Sequence, residues 1–333
     1  MLDVRTAPAS SGVWKKRYFT LLRKGVENEQ PNFMALLRLK NTHRPVSLYR
    51  YRSFDEKGYS LANLRDDAVW LSPPADFNDP FDSNFQFSAG DNLLRFFEKD
   101  IPALLHAVGW KLSCPEAALK YALAGPNPFD ALFQLAVGKE GSPRPGDGAS
   151  FKAELQRALA ERSISVLDKL TAQVRDRLRI CCFSEVLDSV LMWSHYARAH
   201  TGFCIEYSGS ELFKSLVVLR SLHPVCYRSD FYDATGQLDT IMDPNFAFHV
   251  IAACAKSPEW AYEKEWRLIR PSDVMEDPPM FHLPTPSRII LGAKTSAENR
   301  KVISEIAAAK GIVVSAARLS RDQASVDVKG ASS

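Results

Sequence analysis

The polar groups Ser184, Glu185, His195, Tyr196, His200 and Glu206 sit close in sequence within one core-like stretch, residues 180–207. Burying that much polarity costs free energy unless partners are supplied, so chemistry is sought here first. Two further groups complement it. Arg50 and Arg52 stand two apart in Tyr49-Arg-Tyr-Arg52, and Glu263 and Glu265 stand two apart in Tyr262-Glu-Lys-Glu-Trp-Arg267. Basic side chains can meet phosphates. Carboxylates can stabilise the positive charge that develops on a sugar ring as a glycosidic bond breaks. An imidazole such as His195 serves packing or proton transfer equally well.

These groups need rigid elements to hold them. Ile180, Cys182 and Ser184 alternate with Cys181, Phe183 and Glu185, which predicts a strand. Asp188 or Ser189 can cap a short helix over Val190–His200. Gly202 breaks that helix, and Phe203-Cys-Ile205 has strand length. Val46–Arg52 reads as a strand with Tyr49 and Tyr51 on one face and both arginines on the other. Ala68–Ser72 is a second early strand, stopped by Pro73-Pro74 and followed by the turn Phe77-Asn-Asp-Pro-Phe-Asp82, where Pro80 fixes φ. Trp260–Arg270 is a late strand candidate, with Glu263, Glu265 and Arg267 on one face.

Around this frame the pattern is mixed. Trp14–Lys24, Asn32–Lys40, Leu61–Asp66 and Phe246–Lys256 have helical spacing, while Leu216–Arg220 and Val225–Tyr227 read as short strands. Residues 91–108, 115–123, 128–138 and 151–177 are helical in pattern, and Gly141–Ser150 is a Gly/Pro-rich linker. Arg288–Leu291 and Ile312–Ser315 are strands flanking a helix that Thr295 and Glu298 open as a capping box and Gly311 closes. The expected fold is α+β, with small mixed or antiparallel sheets. Its organisation is a basic helical arm over 1–45, a main domain over 46–319 with a helical insertion at about 91–177, and a disordered tail over 320–333.

Composition narrows the class. The 333 residues are 46% hydrophobic and 24% charged, as in ordinary globular chains. Net charge is only +3, yet residues 1–52 hold 11 Lys/Arg against 3 Asp/Glu, so the arm can contact nucleic acid. None of the six cysteines forms a Cys-x-x-Cys pair, and most sit in apolar runs, as small buried hydrophobes do in a reducing compartment. No run reaches the ~18 apolar residues of a membrane span, and the start lacks the apolar core of a signal peptide. The expectation is a cytoplasmic protein without membrane contact, export as an effector being the alternative.

Five ordered motifs then carry a resemblance: Phe77-Asn-Asp-Pro-Phe-Asp82, Cys182-Phe-Ser-Glu185, Met192-Trp-Ser-His-Tyr-Ala197, Gly202-Phe-Cys-Ile-Glu206 and Tyr262-Glu-Lys-Glu-Trp-Arg267. Together, over residues 46–292, they resemble the bacterial family of unknown function numbered 2971, which brings no activity with it. A remoter resemblance is to ADP-ribosyltransferases. Those enzymes use, in chain order, a basic residue on an early strand, a Ser or Tyr on a second strand and a Glu on a late one. Arg50 or Arg52, Ser72 and Glu265 follow that order, and Glu263-Lys264-Glu265 is similar to the Glu-x-Glu element of some such transferases.

That resemblance implies NAD as substrate, with no tightly bound cofactor. Arg50, Arg52 and Ser72 would bind it, with Tyr196, Asn78 and Asp79 contributing to the pocket. Glu265, Glu263 and His195 would be catalytic, in a setting of bacterial defence or conflict. The acceptor, protein or nucleic acid, is unknown. A second reading is a metal-dependent nuclease or phosphodiesterase using Asp79, Asp82, Glu185, Glu206, His195 and His200. No metal-binding spacing supports it, and no metal site is expected. A third is a non-catalytic ligand-binding module whose pocket Trp70, Trp193, Trp260, Trp266, Phe77 and Phe81 would line.

Overall fold

Alternation of apolar side chains along short segments builds one twisted sheet of eight strands. The computed structural model describes residues 11–26, 33–86, 91–138, 147–234, 246–272, 279–320 and 325–328. The strands of the large sheet are β1 (Ser47–Arg52), β2 (Leu178–Ser184), β3 (Phe203–Ser208), β4 (Leu222–Pro224), β5 (Glu265–Pro271), β6 (Arg288–Leu291), β7 (Val313–Leu319) and β8 (Val326–Val328). Their spatial order is β8-β7-β6-β3-β1-β2-β5-β4. The β6–β7 ladder is parallel and the rest are antiparallel. The fold is α+β, as the mixed pattern implied.

The chain divides into two compact units. The first comprises Met1–Ser83, Arg175–Asp230 and Phe246–Ser333 and contains the large sheet. On one sheet face Leu48, Cys181, Phe183, Ile205, Tyr207, Trp266 and Ile289 join Ile303 and Ile306 of helix Ala297–Lys310. On the other, Tyr51, Cys204 and Ile290 pack with Met192 and Trp193 of helix Val190–Tyr196. The second unit, Asn84–Val174 with Phe231–Asn245, has its own helical core around Leu93, Leu105, Phe129, Leu132, Phe151 and Leu155. There Trp110 meets Phe151 edge-on at 5.1 Å.

The N-terminal helices Ser11–Val26 and Phe33–Thr42 bring Trp14 against Trp266 and His43. Their basic residues do not all face water. Lys40 is buried, and its ammonium donates to the carbonyls of Leu219, Arg220 and Leu222. Burial holds it down to about 7.

The centre of the sheet is where the fold makes a site. β1 matches β3 over six residue pairs but meets β2 at one only, Tyr49↔Ser184. Beyond that pair the strands part. Ile180 exchanges both backbone hydrogen bonds with Ser72 instead, at 2.8 and 2.9 Å. Antiparallel neighbours that separate leave unpaired backbone and polar side chains around a gap. The parting residues here, Tyr49–Arg52 and Ile180–Ser184, line a cavity of about 440 Å³.

Several expectations needed correction. Leu216–Ser221 is a helix, because Ser215 caps it by accepting from Val218 N at 3.3 Å. Helix Val190–Tyr196 stops four residues before His200, where Arg198, Ala199 and His200 all take positive φ. Ser296, not Thr295, caps the Ala297–Lys310 helix, while Thr295 Oγ1 donates to the Gly202 carbonyl at 2.9 Å. Within the stretch read as a linker, Asp147–Ser150 already belongs to a helix; residues 139–146 lie outside the described residues. In the expected tail, Val326–Val328 pairs with β7, and residues 321–324 and 329–333 lie outside the described ones.

The turn after Ala197 demands glycine. A Cβ at Gly202 would lie 2.2 Å from the Arg52 carbonyl oxygen and 3.0 Å from that of Ala197. Backbone on both sides cannot step aside, so Gly202→Ala should destabilise the protein by roughly 2–3 kcal/mol. Urea unfolding reads this directly, and a midpoint equal to wild type would disprove the close approach.

Candidate functional site

A fully buried guanidinium organises the cavity floor. Arg267, on β5, is 0% exposed. Its terminal nitrogens grip both oxygens of Asp82 at 2.7 and 2.6 Å, and its Nε donates to Glu265 Oε1 at 2.8 Å. Nη1 also donates to the Ala253 carbonyl at 2.5 Å, and Phe77 lies 5.5 Å from the guanidinium carbon. Lys256 extends the network, donating to Glu263 Oε2 at 2.6 Å and Glu265 Oε2 at 3.0 Å. Buried charge persists only when paired and hydrogen-bonded in this way.

The two glutamates are not alternate residues of one strand. Pro258–Glu263 is a 3₁₀ helix, Lys264 turns the chain with φ 43°, and β5 begins at Glu265. Their environments differ accordingly. For Glu265, burial pushes the carboxyl up, but Arg267 and Lys256 outweigh it and hold it at about 2. Both its oxygens are taken by cations. For Glu263, burial dominates, Lys256 opposes and Glu265 adds, so the carboxyl is held above the ordinary glutamate value. Its Oε1 accepts from the Tyr196 hydroxyl, at 2.7 Å, and Asn78 lines the cavity with them.

The opposite wall belongs to β1. Pairing of Arg50 with Ile205 and of Arg52 with Phe203 puts both arginines on the sheet face away from Glu265. In a continuous sheet that would separate them. Because β1 and β2 part, Arg50, Arg52, Glu263 and Glu265 all line the one cavity. Arg50 reaches the Trp70 carbonyl at 3.4 Å, and Arg52 Nε donates to Ser60 Oγ at 3.1 Å. Neither forms an ion pair among the described residues. Burial, with Arg50 adding, lowers Arg52 to about 10.

The other residues singled out in the sequence fall as follows. Ser72, Asn78, His195 and Tyr196 line the cavity. Asp79 does not; its Oδ1 accepts from Phe81 N at 2.9 Å and braces the turn. The six proposed metal ligands are dispersed. Asp82 binds Arg267, Glu185 accepts from Trp266 Nε1 and Glu206 binds Arg288. His200 faces Ser194 Oγ at 3.3 Å. Among the described residues no three His, Cys, Asp or Glu side chains gather as a metal-binding group. Of the aromatics, Trp193 and Trp266 are core, whereas Trp70 and Phe77 line the cavity. Burial raises the thiols of Cys181 and Cys182, as for inert cysteines.

The sequence reading does not place Lys256 or Arg267 in a site, and it names Asp82 only as a candidate metal ligand. A lysine closing the apolar run Phe246–Lys256 was the available signal, since such a charge needs a partner.

Residues 192–268 match the model of a family described as a protein of unknown function, DUF2971. This is the family that the ordered motifs resemble, over a narrower span than they suggest. No curated protein and no solved structure matches the chain. No helix among the described residues is long and apolar enough to cross a membrane.

Two outcomes follow from the buried network. Asp82→Ala leaves Arg267 charged without its main partner and should cost roughly 3–5 kcal/mol in urea unfolding. A carboxyl held at about 2, against an ordinary 4.5, contributes stability that is full above 4.5 and lost as pH falls toward 2. Glu263, held up instead, opposes part of this. Glu265→Gln should therefore flatten the fall in urea midpoint between about pH 5 and pH 3. An unaltered pH dependence in that variant would reject the assignment.

Proposed function

We propose that the cavity binds NAD and transfers its ADP-ribose, with Glu263 as the acting carboxylate. One observation carries this reading. Two neighbouring arginines without a carboxylate partner among the described residues share a cavity with Glu263, whose carboxylate meets one cation, Lys256, and the Tyr196 hydroxyl. Unpaired guanidinium groups at low exposure cost free energy unless an anion completes them. A diphosphate suits them, because charge-assisted bonds to arginine are about twice as strong as neutral ones. The volume of about 440 Å³ lies within the range of ligand pockets.

The chemistry then assigns roles. The bond from ribose C1′ to the nicotinamide nitrogen breaks, and nicotinamide leaves neutral with the bonding pair. Positive charge grows on the ring, and the Glu263 carboxylate stabilises it. Glu265, whose oxygens are already committed, keeps Lys256 and Arg267 in place. The sequence resemblance put Glu265 first; two cations hold Glu265, whereas Glu263 meets Lys256 alone, and that difference favours Glu263. Arg50 and Arg52 hold the phosphates, and Tyr196 and Asn78 orient Glu263. The acceptor, water or a group on protein or nucleic acid, forms the new bond to C1′, and His195 at the exposed rim takes its proton.

Incubation of the protein with NAD should release nicotinamide, measured by chromatography. Glu263→Gln should lower the rate by about 10²–10³-fold, the usual loss when one transition-state charge partner goes. Arg50→Met should raise KM. The reaction needs Glu263 ionised, so the rate should fall on acidification above the ordinary glutamate range. Nicotinamide release unchanged in Glu263→Gln would sink the proposal.

A further inference from the structure

We infer that the cavity is one half of a two-part site, and that the open groove beside it takes the second nucleotide half of the same ligand. The inference rests on the reading of the cavity as an NAD site. The groove, about 650 Å³, runs over Ser53–Tyr59 to Arg198, and it shares Arg52, His195 and Tyr196 with the cavity. The two spaces therefore adjoin, with Arg52 in the wall of both. A dinucleotide has that plan: two nucleotides joined at a pyrophosphate, where a cation belongs.

Arg52 is built for such a junction. Asp55 accepts from the backbone N–H groups of Tyr59 and Ser60, both at 2.8 Å. Ser60 Oγ in turn accepts from Arg52 Nε. That chain fixes the guanidinium and leaves its terminal nitrogens for the ligand. The groove wall beyond has the composition that suits a base and its sugar phosphate. The Tyr59 ring is 60% exposed, with Lys57 Nζ 5.8 Å from its centre, and Arg198 is exposed. A base stacked on an aromatic ring gains about 1–3 kcal/mol.

Backbone strain points the same way independently. Arg198, Ala199 and His200 are three consecutive non-glycine residues with φ of 47°, 52° and 69°. Each left-handed residue costs on the order of 1–2 kcal/mol, and such strain persists where function retains it. The surroundings enforce it here. Ala199 N and His200 N donate to Ser194 and Trp193 carbonyls, Lys294 N donates to the His200 carbonyl, and the His200 ring stacks on Trp193. A Cβ on Gly292 would sit 2.2 Å from the His200 oxygen. The product of this enforced turn is an arginine delivered to the groove instead of another turn of helix.

Calorimetric titration of the full chain with nicotinamide mononucleotide and with ADP-ribose tests the inference. ADP-ribose should bind the wild type at least about tenfold more tightly, since one stacked base is worth that much. Tyr59→Ala and Arg198→Glu alter exposed side chains, and each should weaken ADP-ribose about tenfold more than it weakens the mononucleotide. Equal affinities in the wild type, or equal losses for both ligands in the variants, would overturn the groove assignment and leave the cavity reading standing. Binding of neither ligand would overturn both.

Discussion

A charge that cannot reach water holds this site together. Arg267 is sealed in the interior, so every donor it carries must find an acceptor within the protein. It finds them on three separate pieces of chain: the Asp82 turn, the end of the Phe246–Ala253 helix at the Ala253 carbonyl, and Glu265 beside it on β5. Removing Asp82, which holds both terminal nitrogens, leaves a buried ion short of its main counter-charge, far more costly than never having buried one. The turn from Phe77 to Asp82 thus owes its position to electrostatics as well as to proline and Asx geometry. Through Lys256 the same constraint reaches Glu263, and so the cavity surface.

Against that rigid floor, the opposite wall is left electrically incomplete. β1 presents Arg50 and Arg52 where its pairing with β2 has lapsed, and the carboxylates nearest the floor are already satisfied by Arg267 and Lys256. The asymmetry is informative. Among the described residues, arginines without an ion-pair partner line one side, and a carboxylate held above its ordinary value lines the other, a combination that marks candidate functional sites. The proposed NAD reading rests on that asymmetry.

How much of this was legible depended on the range of the interaction. Period-two alternation marked β1 and β2, a short apolar run marked β3, whose two faces pack into different clusters, and the Asx-Pro turn announced itself through residues with local hydrogen-bonding habits. Local signals also misled. Leu216–Ser221 carries β-branched and aliphatic residues that read as a strand, yet a serine cap and packing made it helical. The spacing Glu263-x-Glu265 suggested one strand face, whereas a left-handed Lys264 turns the chain between them. Both carboxylates still reach Lys256, for a reason the spacing did not contain.

The order of the polar motifs, the α+β character and the family resemblance were set by the sequence itself, because each depends on neighbours a few positions apart. That Asp82 would meet Arg267, 185 positions along the chain, and that β1 would leave β2 after one pair, were decided only by the tertiary structure. Partner choice among buried charges and the lapse of a strand ladder are settled by competition among all the surfaces that could cover them, and no local pattern encodes the outcome of that competition.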